Sequence, residues 1–272
     1  MNDPTPKTDK AQTGQTQTGQ APPWPDRLDA VLFDAGMTLI GPTRKVEQIY
    51  ALHASPDRPP TPELLAEIRR HFRELFNEAR QHMASGADGY VASDEADRAL
   101  WRDMCLSVAQ RIPGLTPDPE AWFETLYAEF GRTETWQCFP DTWPALQGLA
   151  ERRVPMGVVS NWDSRLLGIL EGLGLSALMG TVLISATEGV RKPGPEIFAR
   201  ALAILGVSPE RTLMVGDSVI DDVDGAWALG MPAVLIHRRA DIPVPDGIPC
   251  IETLTELLSW PNLGGQGTLP AL

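Results

Sequence analysis

The sequence predicts an α/β fold, a doubly wound parallel sheet with an all-helical segment inserted after the first strand. Five short apolar segments of strand length recur along the chain, and amphipathic helical segments separate the last four. Residues 42–137 lack such segments, and their apolar side chains recur at helical spacing. Strand–helix repetition of this kind is typical of parallel sheets covered by helices on both faces.

The predicted strands are rich in β-branched and other apolar residues. They cover residues 30–33, 156–159, 182–184, 212–215 and 233–236. An apolar face predicts one helix around residues 166–170. A second helix follows Pro193 and Pro195 and ends at Gly206, since proline favours helix starts and glycine favours helix ends.

These patterns divide the chain into four parts. Residues 27–41 and 138–260 form the predicted sheet domain, and residues 42–137 form the helical insertion. Residues 1–26 contain too few apolar side chains to offset the entropy of ordering, so we expect a disordered tail. The glycine-rich end, residues 261–272, is expected to be mobile as well.

The chain is acidic, with 36 acidic and 23 basic side chains among 272 residues and a formal net charge of −13. Such a surface disfavours nucleic acids and anionic membranes as partners, because both bind through Lys and Arg. A small anionic substrate is still allowed, since a metal ion or a lysine can reverse the local charge. Three separated cysteines, with no signal segment and no membrane-length apolar run, favour a cytoplasmic protein. No pattern specifies an oligomeric state.

Polar side chains follow four of the predicted strands. Asp34 follows the first strand, Ser160 and Asn161 the second, Lys192 the third and Asp217 the fourth. The carboxyl ends of parallel strands meet at one edge of an open sheet, where ligands bind. These residue types supply a nucleophile, hydrogen-bond donors for phosphate oxygens, a counter-charge and a site for a hard cation.

The order and spacing of these motifs resemble the haloacid dehalogenase (HAD) superfamily. The motifs are Asp-x-x-x-Thr-Leu at 34–39, Ser-Asn at 160–161, Lys-Pro-x-Pro-x-x-Phe at 192–198 and Gly-Asp-Ser-x-x-x-Asp at 216–222. The resemblance covers about residues 28–260. It implies a Rossmannoid core, a C1-type cap at the insertion and a magnesium-dependent hydrolase, with a small phosphorylated metabolite as the expected substrate.

The resemblance assigns a role to each matching side chain. Asp34 would be the nucleophile that accepts the transferred group, and Lys192 would neutralise charge on it. Thr38, Ser160 and Asn161 would bind the oxygens of the transferred group. Catalysis would therefore draw on residues from three strand ends.

The resemblance also implies a Mg²⁺ site. Its ligands would be Asp34, Asp217 and the backbone carbonyl of Gly36, supported by Asp222. Mg²⁺ is usually bound by few carboxylates and several waters, which suits this set. Asp221 lies between the two acidic positions and is a weaker candidate.

Gly36 departs from the pattern of the superfamily's phosphatases. Those enzymes carry a second Asp two residues after the nucleophile, which protonates the leaving alcohol and then activates water. Loss of a positioned acid–base group typically costs roughly 10²–10⁴-fold in rate. Hydrolysis could survive for leaving groups that need no acid, such as acyl or aryl phosphates, or with a group supplied by the cap.

Two other functions stay open. A catalytically weak or inactive phosphate-binding or regulatory module fits the loss of the acid at Gly36. A 2-haloacid dehalogenase would tolerate the same loss, because halide leaves without a proton. That branch of the superfamily, however, does without a metal and lacks the Gly-Asp signature present at residues 216–217.

Overall fold

The computed structural model describes residues 21–54, 60–238 and 243–264. Its strands are β1 (Ala30–Phe33), β2 (Ile40–Pro42), β3 (Trp136–Cys138), β4 (Met156–Ser160), β5 (Thr181–Ile184), β6 (Thr212–Gly216), β7 (Ala233–Ile236) and β8 (Cys250–Ile251). Six of them form a sheet in the order β5-β4-β1-β6-β7-β8, with parallel pairing throughout. The predicted parallel α/β sheet is confirmed.

Helices connect most of these strands. They are α1 (Val46–Ala54), α2 (Pro62–Ala84), α3 (Asp94–Arg111), α4 (Pro119–Glu129), α5 (Thr142–Glu151), α6 (Arg165–Gly172), α7 (Ser185–Glu188), α8 (Pro195–Leu205) and α9 (Gly225–Trp227). Short 3₁₀ helices occupy Thr133–Thr135, Leu175–Leu178, Pro209–Arg211 and Leu254–Ser259, and a π-helical turn occupies Val219–Asp224. Helices α1 to α4 lie within the predicted insertion.

The central strands are buried on both faces, which explains their nearly continuous apolar sequences. In β1, Val31 and Phe33 belong to an apolar cluster with α5 and α6, whereas Leu32 belongs to a second cluster with α8. Helix α8 has the predicted ends, with Pro195 in its first turn and Gly206 at its C-cap with φ +65°. A left-handed conformation there is easily adopted only by glycine.

The inserted helices have an apolar core of their own. Helices α1 to α4 enclose buried Tyr50, Ile68 and Trp122, among others. Thr61 caps α2 by accepting a hydrogen bond from the backbone N–H of Leu64. Such caps satisfy N–H groups that a helix start leaves unpaired.

The structure differs from the predicted strands and tails at several points. The interval expected to contain no strands begins and ends with strands β2 and β3, which pair antiparallel. Part of each predicted tail packs against the rest of the protein. The ring of Trp24 contacts the ring of Trp260. Leu263 is 2% exposed and forms a parallel β-bridge with Leu28. Residues 1–20 and 265–272 lie outside the described part. No described helix is long and apolar enough to span a membrane.

The sheet order positions the site. Strand β1 lies at the centre, with β4 and β5 on one side and β6 and β7 on the other. The chain therefore reverses its direction of winding beside β1, and such a switch point leaves a crevice beyond the strand ends.

Candidate active site

Asp34 follows the last residue of β1 and lies at the centre of the crevice. Its Oδ1 accepts hydrogen bonds from Ser160 Oγ at 2.9 Å and from Lys192 Nζ at 2.7 Å. Asp34 is 7% exposed. Two donors, one at the end of β4 and one in the loop between α7 and α8, thus fix the orientation of one nearly buried carboxylate.

Lys192 connects this carboxylate to a second one. Its Nζ also donates to Asp222 Oδ1 at 2.6 Å, and the side chain is 1% exposed. Burial alone would lower the pKa of Lys192, but the charges of Asp222 and Asp34 outweigh it, so the pKa lies above its ordinary value. The two carboxylates thus favour the charged form of Lys192.

Asp217 and Asp222 follow β6. Burial, and then repulsion by Asp34 and Asp222, raises the pKa of Asp217 to about 8. Asp217 is exposed towards a cavity, yet surrounding protein atoms desolvate its carboxyl group, and this desolvation is the largest cause of the raised pKa. Burial also raises the pKa of Asp222 to about 6, against the opposing effect of Lys192.

Local backbone structure brings Asp222 back towards β6. Its Oδ2 accepts a hydrogen bond from the backbone N–H of Ser218 at 2.9 Å. A β-carbon on Gly216 would lie only 2.1 Å from this Oδ2. Glycine at residue 216 is thus required by the close approach of the Asp222 carboxyl group.

The acidic side chains have the chemistry of a Mg²⁺ site. Asp34, Asp217 and Asp222 each offer a carboxylate oxygen, and these atoms lie within 4.8 Å of one another. Within the described part of the chain, this is the one such group of acidic, His or Cys residues. Burial first, and then repulsion by Asp34, raises the pKa values of Asp217 and Asp222, and a divalent cation would offset this repulsion.

The predicted phosphate-binding residues take different positions. Thr38 is fully buried, and its Oγ1 has no hydrogen-bond partner among the described residues. Ser160 contacts Asp34 directly, as described above. Asn161 instead forms two hydrogen bonds with the backbone of Lys192. Its Nδ2 donates to the Lys192 carbonyl at 2.9 Å, and its Oδ1 accepts from the Lys192 N–H at 2.8 Å. In this structure Asn161 positions Lys192.

Arg80 is a site-facing residue that the sequence patterns did not single out. It reaches from α2 and donates to Ser218 Oγ and to Asp221 Oδ2, the latter at 3.1 Å. Asp221 therefore forms an ion pair with one of the inserted helices. A cavity of about 220 Å³ lies beside this contact, lined among others by Met37, Arg80 and Asp217. No sequence signal marks Arg80, because its partners lie far along the chain.

A second contact joins the insertion to the loop that carries Lys192. Arg191 is 6% exposed, and its guanidinium donates to both carboxylate oxygens of Asp88 and to the carbonyls of Met83 and Val91. Its backbone N–H donates to the Tyr90 carbonyl at 2.9 Å. The inserted helices thus hold the strand-end loop next to the candidate site.

Known proteins with similar sequences and folds include hydrolases and phosphatases. The family described as haloacid dehalogenase-like hydrolase matches residues 28–230. Haloacid dehalogenase-like hydrolase domain-containing protein 3 of Mus musculus is 32% identical over 229 residues, 82% of this chain and 88% of that protein. Glyceraldehyde 3-phosphate phosphatase of Methanopyrus kandleri is 36% identical over 250 residues, 80% and 91% of the two chains. A solved HAD phosphatase from Thermococcus onnurineus has a TM-score of 0.54 at 26% identity, covering 85% of this chain and 97% of that one.

Proposed function

Because this chain belongs to the haloacid dehalogenase-like hydrolase family, we propose that it is a Mg²⁺-dependent phosphatase that uses Asp34 as nucleophile on a small phosphorylated metabolite. The observation that carries this proposal is the position of Asp34. Its carboxylate accepts a hydrogen bond from the ammonium of Lys192 and lies within 4.8 Å of carboxylate oxygens of Asp217 and Asp222. Relatives named as phosphatases support the same class of reaction.

In the proposed reaction, a carboxylate oxygen of Asp34 attacks phosphorus and the bond to the leaving group breaks. Lys192 stabilises the negative charge that remains on the phosphoryl oxygens. The unpaired hydroxyl of Thr38 is suited to donate to those oxygens, and the Ser160 hydroxyl would do so after releasing Asp34. Water then attacks the aspartyl phosphate, which releases phosphate and restores the Asp34 carboxylate.

The metal site would consist of Asp34, Asp217 and the backbone carbonyl of Gly36, with Asp222 in support. Bound Mg²⁺ would neutralise the carboxylates and the incoming phosphate. Asp222 also holds Lys192, so it would stabilise both cations of the site. The acidic net charge of the protein then does not prevent an anionic substrate from binding.

Hydrolysis of an aryl phosphate with and without Mg²⁺ tests the proposal. We expect turnover that requires Mg²⁺ and is abolished in Asp34→Asn. Asp224→Asn is the matched control, since Asp224 lies near the site but outside the acidic group, and it should stay active. Absence of turnover under all conditions, or turnover that is equal in Asp34→Asn, contradicts the proposal.

A phosphate-binding module without turnover is the second candidate, favoured by glycine at residue 36. It predicts Mg²⁺-dependent binding of beryllofluoride with no hydrolysis of any phosphate tested. Chloride release from 2-chloropropionate without a metal requirement would instead favour a dehalogenase. These three outcomes separate the candidate functions.

A further inference from the structure

The ring of Trp162 fills the space beside Gly36 into which a side chain would project. A β-carbon built on Gly36 would lie 2.8 Å from Cζ3 of Trp162, and 3.6 and 3.7 Å from Cε3 and Cη2. Carbon atoms in contact are normally about 3.5–4.0 Å apart. A side chain at residue 36 would therefore fit only if the Trp162 ring moved.

Trp162 is held in this position from two sides. Its ring packs edge-on against Trp136, with 4.8 Å between centroids and an interplanar angle of 69°. Its backbone N–H donates to Ser185 Oγ at 3.0 Å, and its carbonyl accepts from Ser185 Oγ at 3.1 Å and from the Ala186 N–H at 3.2 Å. The backbone of Trp162 is thus fixed by hydrogen bonds, and its ring is supported by the contact with Trp136.

The contact lies next to the reacting carboxylate. Gly36 is two residues after Asp34, and Trp162 is two residues after Ser160, which donates to Asp34. The Trp162 atoms nearest to Gly36 are ring carbons, which carry no transferable proton. Lys192 already donates to two carboxylates. This side of the site therefore offers a leaving group no acid.

We propose that Trp162 is a specificity-determining residue that limits the site to phosphates whose leaving group departs as a stable anion, namely acyl and aryl phosphates. This inference rests on the proposed phosphatase function. Asp34 attacks phosphorus, the phosphorus–oxygen bond breaks, and its electron pair leaves with a carboxylate or phenolate that needs no proton. Water then attacks phosphorus, the Asp34 carboxylate leaves, and one proton passes to solvent. An alkyl phosphate would release an alkoxide, which requires a proton that neither Gly36 nor Trp162 supplies.

The first test is the dependence of kcat/KM on the leaving group in the wild-type protein. We expect kcat/KM to fall steeply as the leaving group of an aryl phosphate becomes more basic. Acetyl phosphate should be a good substrate, and glycerol phosphate should be slower by roughly 10²-fold or more. Similar values for glycerol phosphate and nitrophenyl phosphate overturn the inference but leave the proposed function intact. No turnover of any phosphate overturns the proposed function itself.

The second test restores the acid and the space together. The double variant Gly36→Asp/Trp162→Ala should hydrolyse glycerol phosphate at least about 10-fold faster than Gly36→Asn/Trp162→Ala, since Asn has the same size but gives no proton. Gly36→Asp alone should lower Tm and bring no gain, because the ring blocks the carboxyl group. Equal rates in the two double variants, or an equal gain in Gly36→Asp alone, contradict a role for Trp162. If the double variants do not fold, the wild-type leaving-group series still decides.

Discussion

The ammonium group of Lys192 lies between two buried carboxylates, 2.7 Å from Asp34 and 2.6 Å from Asp222. Neither carboxylate has another cation within salt-bridge distance in the described part of the chain. Removing one partner of a buried ion pair costs more than the pair contributes, because the remaining charge stays desolvated. Lys192 is therefore expected to matter for stability as well as for catalysis.

Lys192→Met should lower the free energy of unfolding by about 3–5 kcal/mol without Mg²⁺ and abolish phosphate hydrolysis. Lys45→Met removes an exposed lysine and is the matched control; it should change stability by no more than about 0.5 kcal/mol. Urea denaturation measures the free energy of unfolding of both variants. The double variant Lys192→Met/Asp222→Asn should recover part of the loss. Equal stability of Lys192→Met and the wild type would show that the two carboxylates do not need this cation.

Gly216 provides a steric prediction at the same site. Gly216→Ala should destabilise the protein by about 1–3 kcal/mol and reduce turnover, since the new methyl group would displace the Asp222 carboxyl group. Gly168→Ala is the control, because its β-carbon meets no atom within 4 Å and lies in α6. That change should stabilise the protein by about 0.5–1 kcal/mol. Thermal unfolding of both variants checks the difference in sign; destabilisation by both would argue against a steric cause.

At the level of residues, the sequence predicted that several of these side chains lie together but not which hydrogen bonds they form. Asp34, Ser160 and Asp217 lie at or directly after the ends of parallel strands, so their convergence follows from the topology, whereas Lys192 lies beyond α7 in the loop before α8. The bonds of Asn161 to the Lys192 backbone could not be predicted, because the residue type alone does not fix which partner an amide chooses. The contact between Gly36 and Trp162 could not be predicted from the sequence either, since it depends on how two loops pack.

Helix α3 begins among like charges, which gives a prediction at the scale of an element. Burial raises the pKa of Asp97 to about 6, with further raising by Asp163 and Asp94 and opposing effects of Arg191 and Arg165. The native state thus binds a proton that the unfolded state has lost between about pH 4 and pH 6. Stability contributed by this proton is present at low pH and is lost as the pH rises through this window.

Asp97→Asn should therefore stabilise the protein by about 1–2 kcal/mol at about pH 7.5, an amount reduced for partial solvation of the group. The difference from wild type should shrink towards about pH 4.5. Asp103 is exposed on the same helix, so Asp103→Asn is the control and should change the free energy of unfolding little at either pH. Thermal unfolding at the two pH values measures this. A pH-independent effect of Asp97→Asn would contradict the assigned cause.

The predicted strands were confirmed where sequence and burial agree. Strands β1 and β7 have the predicted bounds, since every residue in them is buried and apolar. Strands β2, β3 and β8 were missed because segments of two or three residues show no periodicity, and β2 contains both Gly41 and Pro42. Their pairing depends on long-range contacts instead.

At the scale of the whole molecule, the inserted helices and the sheet are joined through buried Arg191. Arg191→Met should leave the carbonyls of Met83 and Val91 without this donor, which costs about 1–3 kcal/mol. Amide hydrogen exchange in residues 83–92 should accelerate. Arg200→Met is the control, because Arg200 is 39% exposed and pairs with surface glutamates, so its loss should cost no more than about 0.5–1 kcal/mol. Unchanged exchange in residues 83–92 would show that Arg191 does not hold this segment.

The proposed reaction requires a covalent bond between a carboxylate oxygen of Asp34 and phosphorus. Reaction with acetyl phosphate and Mg²⁺, acid quenching and peptide mass spectrometry can locate the phosphoryl group directly. We expect it on the peptide that contains Asp34, removable by hydroxylamine, and absent from Asp34→Asn or after removal of Mg²⁺. Turnover without any phosphoryl group on Asp34, or a phosphoryl group on another residue, would contradict the account.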